Sequence, residues 1–212
     1  MIKLDDICFA YDNEAVLKHF NLEVIKGEMV VIKGDNGCGK STLLNIINAL
    51  SFPQQGSYTF NGDIVDEKSM KNELFSKSLH QKIGYVFQNT DLQLFCARVE
   101  DEIAFGVNQM GLSADDVKAR AEDMIALLDI EKLRDRAPYH LSMGEKKKVA
   151  LAAVLVTNPQ VLVLDEPMNF LDKKSREWIK SFLSQMKQIG KTIIIVSHTN
   201  DFDDMADKIV NM

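Results

Sequence analysis

The sequence predicts an α/β fold with a mainly parallel core sheet, an antiparallel β portion at the N-terminus and an inserted block of helices. Three observations predict it. Val161–Leu164 and Thr192–Val196 are apolar runs of buried-strand length separated by a helical stretch, Lys173–Gln188, the alternation typical of a parallel sheet. A glycine-rich loop, Gly34–Thr42, stands between the apolar run Met29–Ile32 and a helical repeat of Leu43, Leu44, Ile46, Ile47 and Leu50. Between residues 98 and 157 the pattern turns helical.

Taken in order, Ile2, Leu4, Ile7 and Phe9 alternate with polar residues, as a half-exposed strand does. Asp12-Asn13 reads as a turn. Phe20, Leu22 and Val24 alternate again before a second turn at Lys26-Gly27. Three short β segments ahead of the glycine loop suggest an antiparallel sheet at the start of the chain. Ser57–Phe60 followed by Asn61-Gly62 reads as a strand and hairpin turn. Ile83–Phe87 is a buried strand that ends at Gln88. Val99, Ile103, Phe105 and Val107 open the helical block, and Asp116–Leu128 carries an amphipathic repeat. Pro138 interrupts it, and Ser142–Val156 resumes it. The whole chain, 1–212, reads as one domain. Segments 1–87 and 159–212 form the core and the antiparallel subdomain, and 88–158 forms the Gln88 segment and the helical subdomain.

With 212 residues, 46% of them hydrophobic, the chain can bury one substantial core. Its net charge of −6 supplies no overall basic field, which argues against nucleic acid as the main partner. The clusters Lys146–Lys148 and Lys173-Lys174 are of the size found on solvated helix faces. Cys8, Cys38 and Cys96 lack metal-ligand spacing and read as free thiols of a reducing compartment. Asp5 and Asp6 fall where a signal peptide would turn apolar. No apolar run approaches the roughly 18–20 residues that cross a bilayer, so any membrane role is exercised from outside the lipid.

The chemistry begins at the glycine loop. Gly34, Gly39, Lys40 and Ser41 fit G-x-x-x-x-G-K-[ST], and the strand before and helix after supply the context of a P-loop NTPase. Its glycines let the backbone curl so that N–H groups of Asp35, Asn36, Gly37, Cys38, Gly39, Lys40, Ser41 and Thr42 surround a phosphate at a helix N-terminus. Lys40 supplies a charge for the β- and γ-phosphates of a nucleoside triphosphate, and the Ser41 hydroxyl is a ligand for Mg²⁺.

A second constellation follows. The strand Val161–Leu164 delivers Asp165 and Glu166 to the edge where open α/β sheets bind ligands. Asp165 can hold Mg²⁺ and Glu166 can take a proton from an attacking water; two acids at a solvated strand end are the ordinary alternative. His198 emerges at the same edge, as a γ-phosphate contact or as a structural histidine. Gln88, at another strand end, can contact Mg²⁺ or orient water. Ser142 and Glu145 fit a helix capping box, and an exposed helix start with Ser142 and Gly144 can also receive an anion.

These elements, in this order, resemble the ATP-binding cassette (ABC) ATPases over essentially the whole chain. Gly34–Ser41 resembles the Walker A loop, Gln88 the Q-loop, Leu141–Glu145 the signature sequence, Val161–Glu166 Walker B, Asn169–Asp172 the D-loop and His198 the switch histidine. Tyr11 stands where the family places an aromatic against adenine; a strand-end core tyrosine is the alternative. Tyr85–Phe95 followed by Val99-Glu-Asp-Glu-Ile-Ala-Phe-Gly106 is similar to the cobalt/nickel and energy-coupling-factor importer ATPases. The resemblance implies an Mg-dependent ATPase, peripheral on the cytoplasmic side of the membrane, paired with a second ABC ATPase subunit. Ser142, Gly144, Glu145 and Asp172 would contact the partner's ATP. Leu92, Leu94 and Phe95 would dock a transmembrane coupling subunit, unless they are core. Closure around ATP would drive uptake of a metal ion or vitamin. A soluble ABC ATPase acting on a macromolecular complex is the competing reading, and a small-molecule kinase a more distant one.

Three departures stand out. Met143 and Glu145 replace the first Gly and the Gln of LSGGQ, and Met143 would crowd an approaching phosphate. Asn169 stands where the D-loop usually begins with a small residue. The chain stops at Asp207–Met212, near the expected last core strand, where relatives continue: a minimal member or a truncated chain.

Overall fold

The computed structural model describes residues 1–12 and 14–212. The expected turn at Asp12-Asn13 therefore falls partly outside the described residues. Two sheets organise the rest. In the first, β1 (Ile2–Tyr11) pairs antiparallel with β2 (Glu14–Val24) and with β4 (Gln55–Phe60), and β4 pairs with the short β5 (Asp63–Ile64). Phe60 faces Asp63 across Asn61-Gly62, both at positive φ, as a two-residue hairpin of primed type requires.

The second sheet is parallel throughout, in the order β6-β7-β8-β3-β9. Its strands are β3 (Met29–Lys33), β6 (Ile83–Val86), β7 (Val161–Asp165), β8 (Thr192–Val196) and β9 (Lys208–Asn211). Here one expectation is corrected: the β segment just before the glycine loop, β3, belongs to the parallel sheet and not to the antiparallel one. Both faces of β3 are covered. Met29 and Val31 pack toward the helical core, Val30 and Ile32 toward α1 (Lys40–Ile47) and the antiparallel sheet. A strand buried on both sides reads as a continuous apolar run, which is why its sequence gives no alternation.

Between β6 and β7 lie α4 (Val99–Asn108), α5 (Ala114–Leu127) and α6 (Met143–Leu155). The helix between β7 and β8, α7, spans Lys173–Gln188 as the periodicity predicts, with Asp172 as its N-cap. Two helices went unanticipated, α2 (Glu67–Met70) and α3 (Glu73–Lys82). Of the apolar residues that open the helical block, Val99, Ile103 and Val107 are buried in α4 while Phe105 is 45% exposed.

One glycine fixes the joint of the antiparallel sheet. Gly56 has φ +89, and a Cβ there would run into the backbone of Asp5 and Asp6, where β1 bulges. Gly56→Ala combines left-handed strain with an immovable clash and is expected to cost about 2–4 kcal/mol. A urea or thermal midpoint unchanged from wild type would show that the bulge relaxes freely.

Candidate nucleotide site

The parallel sheet brings the loop after β3, the end of β7 and the loop after β8 to one edge. There a cleft of about 390 Å³ is lined by Tyr11, Val16, Asn36, Gly37, Gly39, Lys40, Ser41, Thr42, Gln88, Asp165, Glu166, Asn169 and His198. Gly37 (φ +85) and Gly39 (φ +106) make the curl, and Gly39 is the N-cap of α1. The Lys40 ammonium donates to the carbonyls of Gly34 (2.6 Å) and Asp35 (2.8 Å). Two of its three donors thus hold the loop, and the third remains for an anion. Helix α1 is anchored from behind by the buried Tyr58 hydroxyl, which donates to the Ile47 carbonyl at 2.8 Å.

Asp165 closes β7. Burial raises its carboxyl pKa, and the neighbouring Glu166 charge raises it further. Glu166 is itself 6% exposed and takes φ +42, a strained backbone for a non-glycine residue. Its amide still donates to the Val196 carbonyl, so the strain follows from holding the chain to β8 while turning the carboxylate toward the loop. His198 Nδ1 meets Glu166 Oε2 at 2.8 Å. Ser41, Gln88 and Asp165 offer a hydroxyl, an amide oxygen and a carboxylate, the hard oxygen donors that Mg²⁺ takes. A cation there would also relieve the crowding of two buried acids, so these residues fit the metal. Among the described residues no cluster of three His, Cys, Asp or Glu exists; the remaining ligands would be phosphate and water oxygens.

Tyr11 ends β1 on the rim of the cleft, 48% exposed and edge-on to Phe9. Asp35 and Cys38 belong to the loop but do not line the cleft. The Cys38 thiol lies against Gly34, at the place a Cβ on that glycine would fill. Triphosphate in the loop would lock it, so alkylation of Cys38 by N-ethylmaleimide is expected to slow several-fold when ATP is added. Equal rates with and without ATP would move the nucleotide out of this cleft. Val16 and Asn169 line the cleft without a sequence signal of their own for this role.

Ser142, Gly144 and Glu145 do not meet the phosphate loop in this chain. They line a separate cleft of about 680 Å³ with Lys148, Ser175 and Trp178. The capping box is formed: Glu145 Oε2 accepts from the Ser142 amide and hydroxyl, both at 2.8 Å. Those bonds hold the Glu145 carboxyl below its ordinary range. Gly144 sits against Ser175, where any Cβ would collide. Met143 is partly buried against the helical core instead of standing free beside Ser142. Asp172 accepts the Ser175 amide at 2.7 Å, and Phe170 beside it is 72% exposed at φ +62.

Of the three residues expected to form a docking surface, Leu92 (76%) and Phe95 (66%) are exposed, and Leu94 is partly buried against the helical core. Phe105 stands beside them, edge-on to Phe95 with ring centres 4.9 Å apart. No helix of the described residues is long and apolar enough to cross a membrane.

The ABC transporter family profile matches residues 17–169. The chain belongs to the ABC transporter ATPase family. The nickel import ATP-binding protein LarO of Lactiplantibacillus plantarum is 45% identical over 198 residues, 93% of this chain and 82% of LarO. Among solved structures, CbiO1 of Clostridium perfringens, part of the ABC transporter complex CbiONQ, matches the fold with a TM-score of 0.89 at 34% identity. That match covers 100% of this chain and 84% of CbiO1. The ATP-binding cassette MJ0796, a dimer in a post-hydrolysis state bound to ADP and Pi, gives 0.88 at 27% identity, over 100% of this chain and 94% of the other. This ABC ATPase thus has the fold and the ordered motifs of ATP-binding transport subunits.

Proposed function

We propose that this chain is the ATP-hydrolysing subunit of a membrane importer for a metal ion or vitamin, working on the cytoplasmic face with a second ABC ATPase subunit. The observation that carries it is the division of the site. Lys40, Ser41, Gln88, Asp165, Glu166 and His198 share one cleft, while Ser142 and Gly144 line another. A second subunit placed head-to-tail would join the two halves around ATP. The dimeric cassette MJ0796, with ADP and Pi, supports that arrangement, and the nickel importer LarO and the CbiONQ complex support the transport role.

In this reading the loop amides and Lys40 hold the β- and γ-phosphates. Glu166 accepts a proton from the water that attacks the γ-phosphorus, and the bond to the β-phosphate oxygen breaks. His198 steadies Glu166 through Nδ1, leaving Nε2 for the γ-phosphate. Mg²⁺, held by Ser41, Gln88 and Asp165, would neutralise phosphate charge. Ser142 and Gly144 serve the partner's ATP. Glu145 is displaced from the Ser142 hydroxyl as that phosphate arrives. Leu92, Phe95 and Phe105 form the apolar surface for the transmembrane coupling subunit.

Phosphate release from ATP with no acceptor present, together with co-purification of an integral membrane protein from detergent extracts, is the expected result. Phosphate transfer only in the presence of an acceptor would indicate a kinase. Hydrolysis without a membrane partner would indicate a soluble ABC ATPase.

A further inference from the structure

The segment from Gln88 to Cys96 runs from the nucleotide cleft to the exposed Leu92–Phe95 surface, and buried charges hold it along its length. At its start Lys147 of α6, 1% exposed, donates to the carbonyls of Phe87 (3.1 Å) and Gln88 (3.2 Å). In its middle Lys146, 8% exposed, donates to Asp91 at 2.6 Å. At its end Glu102 of α4, 4% exposed, accepts the amides of Phe95 (2.8 Å) and Cys96 (2.6 Å). The Gln93 side chain ties the segment back to β6, accepting from the Phe87 amide and donating to the Tyr85 carbonyl, each at 3.0 Å.

A buried ammonium is destabilising by several kcal/mol unless its donors and its charge are matched. Burial pulls Lys147 down to about 8, with the Asp165 charge opposing that shift. An apolar side chain would fill the same place on α6 at less cost, so packing alone does not explain a lysine there. What the ammonium does is bind the backbone at the point where Gln88 leaves the sheet. Ser142, five positions earlier, caps the N-terminus of α6, so one helix joins the start of the signature cleft to the anchor of the Gln88 segment.

We infer that Lys147, Lys146 and Glu102 are positioning residues that fix the Gln88–Cys96 segment to α6 and α4, and that Lys147, by holding the backbone of Phe87 and Gln88, sets where the Gln88 side chain stands in the cleft. The functional part of this inference rests on the ATPase reading above; the mechanical part does not.

The test uses the purified chain. Lys147→Met removes the donors at nearly constant volume, and Lys147→Gln restores donors without the charge. In Lys147→Met, amide hydrogen exchange across residues 88–95 is expected to quicken about tenfold or more without nucleotide, from the loss of the charge-assisted bonds to the Phe87 and Gln88 carbonyls. The same variant is expected to lower kcat for ATP while KM for ATP moves less than about twofold, and to need more Mg²⁺ for half-maximal activity, because Gln88 and not the phosphate loop has been released. Lys147→Gln is expected to recover most of each effect. Unchanged exchange and kcat in Lys147→Met would overturn the inference. So would a Lys147→Gln variant as impaired as Lys147→Met with the same fall in thermal midpoint, since that reports burial only. If Lys147→Met does not fold, Asp91→Asn at the half-exposed end of the middle tie is expected to quicken exchange around Leu92, and no change there overturns it. A wild-type chain that fails to bind ATP would defeat the ATPase reading while leaving the exchange result to stand or fall alone.

Discussion

Exchange of Glu166 for glutamine is expected to lower ATP hydrolysis about 10²–10⁴-fold, the usual contribution of a positioned general base, while ATP binding persists. Glu166 is 6% exposed and bonded to His198 at 2.8 Å, so the side chain is held in one place and the amide fits the same space. An amide cannot take the proton of an attacking water. Binding is spared because the loop amides, Lys40 and Ser41 are untouched. The metal position gains, if anything: the Glu166 charge is one of the two causes that raise Asp165, and removing it lets Asp165 ionise more readily. The variant is therefore expected to accumulate ATP-bound dimers with a partner subunit. Released phosphate, retained ATP and elution volume on a sizing column measure the three properties. Turnover within a few-fold of wild type would remove Glu166 from the role of base and leave it a buried strand-end acid that holds His198.

Much of this arrangement is legible in the chain because its strongest signals are local. Asp172 before Lys173 and the box of Ser142 with Glu145 mark helix starts through hydrogen bonds that span only three residues. Lys40 and Ser41 follow Gly39 directly, so the loop is written in one stretch. Other features depend on distant partners. An apolar run such as Met29–Ile32 reads the same in either kind of sheet, and only its pairing with Ile193–Val196 and Lys208–Asn211 makes it parallel. Helices α2 and α3 stayed hidden because little of them is buried: Leu79 is the one buried residue in the pair, and Leu74 is 81% exposed. They are held by the caps Asp66 and Asn72 and by exposed i,i+4 ion pairs, which are worth little individually. Leu92, Leu94 and Phe95 look alike in sequence, yet a short 3₁₀ turn at Thr90–Leu92 sends Leu94 inward and leaves the other two outside. The run Lys146–Lys148 looks in sequence like a solvated cluster because charge runs usually are; the burial of Lys146 and Lys147 appears only when α6 meets the Thr90–Leu92 turn and the end of β6.

Replacement of Lys40 by methionine is expected to weaken ATP binding about 10- to 100-fold, the loss of one charge-assisted hydrogen bond of about 1.5–3 kcal/mol. The figure follows from how the ammonium is used. Two donors are committed to the Gly34 and Asp35 carbonyls, so a single donor faces the phosphates, in a cleft whose other cationic group would be the metal. Methionine keeps the buried stem at the first position of α1, and water can take over the carbonyl of the exposed Asp35 but less readily that of the half-buried Gly34, so the thermal midpoint should fall modestly while the cleft stays assembled. Affinity for AMP should be nearly unchanged, because Lys40 is assigned to the β- and γ-phosphates. Titration with fluorescent ATP, ADP and AMP analogues checks this gradient. An equal loss for all three would mean that the loop itself has collapsed, and no loss for ATP would place the triphosphate elsewhere. Glu166→Gln and Lys40→Met divide the cleft in complementary ways: the first should keep nucleotide and lose chemistry, the second should lose nucleotide with the acids and His198 still in register. A single cleft in which the two variants fail differently is hard to reconcile with a structural role for either residue.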